Sequence, residues 1–179
     1  MTTIIDGTAG ITFPVTAGSA SAVQASSGRV LQVVSATNTT QISYSGSSTS
    51  PQAIWTLSSF TPSSTTSKVL LTLNMWIGKG NNETFWVTRN GTYIGGAGKT
   101  STFNNPNAFY SSDEALAKDT YTLAPLPWSY LDSPSTTSAI TYIFGCTLSV
   151  AGAYYFNQAS QDTDSGAGAS VWTLMEIAA

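Results

Sequence analysis

The sequence predicts an all-β protein, a jelly-roll-like β-sandwich with an extended N-terminal arm. Three observations carry that expectation. Apolar residues recur at every second position over several stretches, the period of a strand with one buried face. Those stretches are short, and clusters of Gly, Pro, Ser and Thr separate them. The helical period of about 3.6 residues is almost absent. About nine to eleven short strands in a chain of 179 residues fit two packed sheets.

At this length the chain reads as one domain with an arm, and it is long enough to bury a core. Residues 1–27 form the N-terminal arm or short shaft segment, and residues 28–179 the β-sandwich domain. The arm holds short apolar patches at Ile4-Ile5 and Ile11-Thr12-Phe13, ahead of Pro14. Neither patch makes a core alone, so both are expected to order against a neighbour.

Gly28 opens the domain. Residues 29–35 (RVLQVVS) are rich in β-branched side chains and read as a strand. Residues 39–45 read as a weaker one, and 46–51 as a turn-rich loop. Residues 53–60 place Trp55 and Leu57 on one side, until Thr61-Pro62-Ser63-Ser64 breaks the run. Residues 67–77 alternate cleanly: Val69, Leu71, Leu73, Met75 and Ile77 face one way. Lys68, Leu70, Thr72, Asn74 and Trp76 face the other. Residues 85–89 and 92–95 flank Asn90-Gly91, the preferred two-residue hairpin connection, because both turn positions need positive φ.

Residues 95–106 read as a long Gly/Asn/Thr loop. The one helical candidate is residues 111–118, where Ser111 and Glu114 have the spacing of a capping box. Residues 119–124 return to strand, and Pro125, Pro127 and Pro134 punctuate the stretch after it. Residues 140–150 alternate again, with Ile140, Tyr142, Phe144, Cys146, Leu148 and Val150 on the apolar face. Ala151-Gly152 offers a turn, and 153–158 the returning strand. A Gly/Asp/Ser loop covers 160–169. Residues 171–177 are apolar on both faces, as in a central strand between layers.

Only 8% of residues are charged, against roughly a quarter in an average soluble protein. Hydroxyls and amides take the place of charge. Burying a hydroxyl costs less than burying an ion, so such a surface favours subunit contact. The net charge of −3 gives no basis for nucleic-acid binding, and the six Lys and Arg are scattered. No apolar run is long enough for a membrane-spanning helix, so no membrane insertion is expected. No basic segment followed by an apolar one opens the sequence, so no secretory signal is expected. The sequons at Asn38, Asn82 and Asn90 read as chance in a Thr-rich chain.

The chain has no histidine, which removes the commonest general base and metal ligand, and no enzyme activity is expected. Cys146 is the single cysteine, so neither an internal disulfide nor a cysteine zinc site is expected; its place on the apolar face reads as an inert thiol. A carboxylate pair could in principle cleave a glycoside. The candidates are Asp113, Glu114, Asp119 and Asp132. The first two are better explained by a helix start, and Asp132 by a turn before Pro134. Asp162, Asp164, Ser165 and Gly166 have part of a calcium-loop pattern but lack its closing Glu; a solvated turn explains them. Gly95-Gly96-Ala97-Gly98-Lys99-Thr100 fails the spacing of a phosphate-binding loop. No catalytic, metal or cofactor residues are therefore assigned. Trp76, Trp86, Tyr93, Phe103, Phe109, Tyr110 and Trp128 are numerous for so polar a chain. Packing explains rings on strands, and exposed rings in loops could stack on sugars.

Several blocks carry a resemblance. They are Asp6-Gly7-Thr8-Ala9-Gly10-Ile11-Thr12-Phe13-Pro14, Gly28-Arg29-Val30-Leu31-Gln32-Val33-Val34, and TPSSTTSKV over 61–69. Leu131-Asp132-Ser133-Pro134-Ser135-Thr136-Thr137-Ser138, Ile140-Thr141-Tyr142 and Thr173-Leu174-Met175-Glu176-Ile177 complete the set. Together they resemble a family of bacteriophage virion proteins related to tail fibres, and they span nearly the whole chain. The resemblance implies a jelly-roll-like domain that assembles as a homotrimer on the virion, with no catalytic residues. Val15 stands where the family often continues with Asp and a Gln-rich shaft, and the segment before the DGTAG block is short. That pattern suits a capsid decoration or cement protein, or a short fibre, whose arm grips another virion protein such as the major capsid or tail protein. The alternative is a receptor-binding module that reads host-surface glycan through loop aromatics within 95–110.

Overall fold

The computed structural model describes residues 4–6, 10–12, 28–47, 52–96, 110–112, 117, 119–161 and 167–179. They form β-strands joined by turns, and no helix is present among them. In the arm, β1 (Ile4–Asp6) pairs antiparallel with β2 (Gly10–Thr12), with Ile5 registered on Ile11. The rest of the 1–27 arm lies outside the described residues.

Two antiparallel sheets pack face to face as a jelly-roll-like sandwich. In the first, the strand order is β3 (Val30–Asn38), β12 (Ser170–Ile177), β6 (Lys68–Gly78) and β10 (Leu123–Asp132). In the second, β11 (Ile140–Phe156) is the centre. On one side it pairs with β5 (Gln52–Phe60) and then β4 (Ile42–Ser47), and on the other with β7 (Asn81–Arg89). Beyond β7 lie β8 (Thr92–Ile94) and β9 (Tyr110–Ser112). One pairing, Phe156 with Ile77, joins the two ladders where the chain passes between layers.

The core follows from the alternation. Val69, Leu71, Leu73, Met75 and Ile77 of β6 are buried, as are Trp172 and Leu174 of β12. Opposite them stand Tyr142, Phe144, Cys146 and Leu148 of β11 and Phe85 and Val87 of β7. Rings bridge the layers: Trp172 lies 6.0 Å from Trp55 and 6.5 Å from Tyr142, centroid to centroid. Tilted and edge-on pairs of this kind are each worth about 1 kcal/mol beyond the area they bury.

The Asn-Gly hairpin is as expected. Asn90 has φ 47° and Gly91 φ 82°, with Arg89 registered on Thr92. Asn90 is held further, because its Oδ1 accepts from Thr141 N–H at 2.9 Å and its own N–H donates to Thr141 O at 2.9 Å.

Several expectations are corrected. Residues 140–158 are not a hairpin. β11 runs straight through Ala151-Gly152 for 17 residues, and its register on β7 jumps between Leu148 and Ala153. Small residues inside a strand mark a bulge as readily as a turn, and here β4 takes up the far half of β11. Pro125 and Pro127 do not end a strand; they sit inside β10, which pairs with β6 in unbroken register. At an edge, a proline nitrogen pointing away from the neighbour costs no ladder bond. The helix expected over 111–118 is absent at its start, where Ser111 and Ser112 belong to β9 and pair with β7. Cross-strand pairing outweighs a two-turn helix that has little to bury. Residues 113–116 and 118 lie outside the described residues. Residues 119–122 are a turn rather than strand. β12 is central in its sheet, but only Ser170, Trp172, Leu174 and Glu176 face the core.

Candidate functional site

The pleat that fills the core leaves a second set of side chains on the outer face of the β3-β12-β6-β10 sheet. The registers align them in rows. Val33, Met175, Leu70 and Leu131 form one row across all four strands. Ser35, Thr173, Thr72 and Ser129 form the next, a row of hydroxyls, and Ser35 Oγ lies 2.9 Å from Thr173 Oγ1. Thr37, Val171, Asn74 and Pro127 form the third. None of these twelve is ionisable. Lys68 stands beyond them, in register with Ile177 and Val30, and its Nζ donates to Ser133 Oγ at 2.8 Å.

The face is apolar at both margins. Val33 is 56% exposed and Leu131 51%. A shallow groove of about 500 Å³ lies between β6 and β10, lined by Thr72, Leu73, Pro127, Trp128 and Ser129. A surface with no charge to desolvate, an apolar stripe and a hydroxyl stripe is suited to being covered by a neutral partner. Sequence reasoning placed Leu70 and Trp76 on the outer side of their strand but did not find the rows, because a row needs the strand order. A second hollow of about 370 Å³ is lined by Lys79, Gly80, Thr120, Ala153, Tyr155, Ser160 and Gln161.

The two described carboxylate candidates, Asp119 and Asp132, stand apart, one before the start of β10 and one at its end. Asp113 and Glu114 lie outside the described residues. Asp119 caps a surface turn, its Oδ1 accepting from Tyr121 N–H at 2.9 Å. Asp132 is not a solvated turn residue. It is buried at the end of β10, where Oδ1 accepts from Arg89 at 2.6 Å and Oδ2 from the Tyr142 hydroxyl at 2.8 Å. Arg89 belongs to β7, Asp132 to β10 and Tyr142 to β11, so this cluster ties the two sheets together. Burial, the Asp132 charge and the hydrogen bond to it all push the Tyr142 phenol far above its ordinary value.

Glu176 anchors a second cluster at the same end of the sheet. Gln32 Nε2 donates to its Oε2 at 2.7 Å, and Ser63 N–H and Oγ each donate to Oε1 at 2.7 Å. Burial alone would raise this carboxyl, but the hydrogen bonds from Ser63 and Gln32 outweigh it and bring it down to about 2.

Cys146 is buried and free, as its place on the apolar face predicted. Burial and then the nearby Glu83 charge push its thiol far up. Asp162, Asp164, Ser165 and Gly166 lie outside the described residues. Among the described residues, no three His, Cys, Asp or Glu side chains gather as metal ligands do.

The aromatic candidates divide. Trp86 is buried and donates to Thr147 Oγ1 at 3.0 Å, with Tyr93 edge-on to it at 5.5 Å. Trp128 and Tyr130 stack on each other at 5.7 Å, over Gly95. Trp76 is half-buried against Gly168. Phe103, Phe109 and most of 95–110 lie outside the described residues. No protein-family model matches the chain, and no curated protein matches it.

Proposed function

We propose that this protein is a structural component of a bacteriophage virion. It acts as a homotrimer that decorates or stabilises the particle, as a capsid cement protein or a short head or tail fibre. The observation that carries the reading is the outer face of the β3-β12-β6-β10 sheet, twelve aligned side chains without an ionisable group. A neutral face with exposed valine and leucine favours permanent contact with other protein over solvation. The resemblance of the sequence blocks to virion proteins points the same way. So does the low charge of the chain, which lets many modest contacts add up across a multivalent assembly. The groove beside Trp128 favours a second reading, a receptor-binding module for neutral host-surface glycan.

The test is binding of the purified full chain, and of a chain lacking residues 1–27, to emptied phage shells and to host cells. Shell binding that is lost with the arm, with no cell binding, is the expected result. Cell binding that survives the deletion overturns the structural reading in favour of receptor recognition.

A further inference from the structure

We propose that the free edge of β3 receives the β1–β2 hairpin of a neighbouring copy, so that exchanged arms close the trimer. The inference rests on the homotrimeric reading and names the surfaces by which the copies join.

The two edges of the β3-β12-β6-β10 sheet differ in kind. At one edge, β10 keeps unbroken register with β6 from Leu123 to Asp132, although Pro125 and Pro127 interrupt its run of N–H groups. The ladder stays continuous only if both proline nitrogens face away from β6. The outer side of β10 therefore lacks two donors, and no strand can be added there without leaving acceptors unmet. At the other edge, β3 spans Val30–Asn38 with no proline and no charged residue. Val30, Val33 and Val34 are all exposed, and among the described residues β3 pairs only with β12. An unguarded, β-branched edge of nine residues is a template for strand addition.

The hairpin is what the chain itself offers to such an edge. β1 and β2 are three residues each and pair with one another. A two-stranded sheet alone is marginal in water, and a third strand stabilises it. Registered beside Val33, the Ile5-Ile11 pair extends the row Leu131, Leu70, Met175, Val33 by two more apolar positions. Residues 13–27 link hairpin to domain and can span up to about 50 Å when extended, enough to reach a second copy. Arm into edge is a head-to-tail contact, and three such contacts close a ring in which every β3 edge is covered.

The experiment measures mass by light scattering for three proteins: the full chain, a chain lacking residues 1–12, and the V30K/V33K variant. Both lysines replace exposed side chains, and circular dichroism checks that each variant keeps its strand content. The full chain is expected as a trimer and both variants as monomers. Mixing the two variants is expected to give a one-to-one complex, because one retains the edge and the other the arm. A variant that unfolds is set aside, and the other still decides. If the full chain is a monomer, the trimeric reading and this inference both fall. If the full chain is a trimer and either variant stays trimeric, or the mixture stays monomeric, the arm–edge contact is overturned while the trimeric reading stands.

Discussion

The Ser170 hydroxyl donates to Asn157 Oδ1 across 2.6 Å and accepts from Trp76 N–H at 2.9 Å. Asn157 follows β11 with φ 57°, buried. Its Nδ2 donates to Asn38 O at 2.8 Å and Thr40 O at 3.1 Å. Asn157 and Ser170 thus together join β3, β6, β11 and β12, where the chain changes sheets. Asn157→Ala should cost about 3 kcal/mol or more in urea unfolding, since it strands buried groups at about 1–3 kcal/mol each. Asn157→Gly loses the same bonds but accepts the left-handed backbone, and should be about 1 kcal/mol more stable than the alanine variant.

The Asp132 cluster makes a sharper demand. Asp132→Ala leaves Arg89 and the Tyr142 hydroxyl without their acceptor, and should destabilise by about 3–5 kcal/mol. Tyr142→Phe removes one hydrogen bond and keeps the ring, and should cost about 1–2 kcal/mol. Equal losses in the two variants would show that the ion pair contributes nothing.

Acid should act through Glu176. Its folded value, about 2, lies below the unfolded carboxylate value of 4.5. A group depressed on folding contributes stability above the unfolded value and loses it as pH falls through the folded one. Unfolding free energy should therefore decline between about pH 4.5 and 2. The loss should be about 2 kcal/mol, because the part-buried partners leave some screening by solvent. Glu176→Gln should flatten that limb, and urea titrations at several pH values measure it.

Gly145 admits no side chain. A Cβ there would sit 2.2 Å from Cη2 of Trp86 and 2.5 Å from Gln52 O. Gly145→Ala should cost about 3 kcal/mol or give insoluble protein, and should shift the tryptophan fluorescence as the Trp86 ring is displaced.

The Cys146 thiol should resist a disulfide reagent in the native state. Labelling should follow global unfolding, with a rate that rises steeply with urea. Fast labelling without denaturant would mean that the β7–β11 layer opens locally.

The alternation in residues 67–77 and 140–148 was legible because a period of two registers core-facing side chains directly. Asn90-Gly91 was legible because its backbone demand is local. Ala151-Gly152 was not, since the same small residues serve a turn or a bulge, and only the position of β4 decides. Pro125 and Pro127 misled for the same reason: a proline breaks an inner strand and suits an outer one, and edge position is a property of the sheet. Asp132 looked like a turn residue because Arg89 is 43 positions away in sequence. The uncharged face was half legible, in the outer positions of β6, but its continuity from Val33 to Leu131 exists only once four distant strands are side by side.

β12 is the last strand in the sequence, yet it lies between β3 and β6, and Ala178 exchanges backbone hydrogen bonds with Gly28 and Arg29 at the domain's start. On the ribosome, β3 and β6 emerge early and wait, apolar edges bare, until residues 170–177 leave the exit tunnel. The sheet cannot zip from one side, because its third member fills a gap rather than extending an edge. Completion of the sheet is therefore cooperative, because β3 has no neighbour in it until β12 arrives. A chain cut before Ser170 would leave β3 with no partner and β6 paired in this sheet with β10 alone.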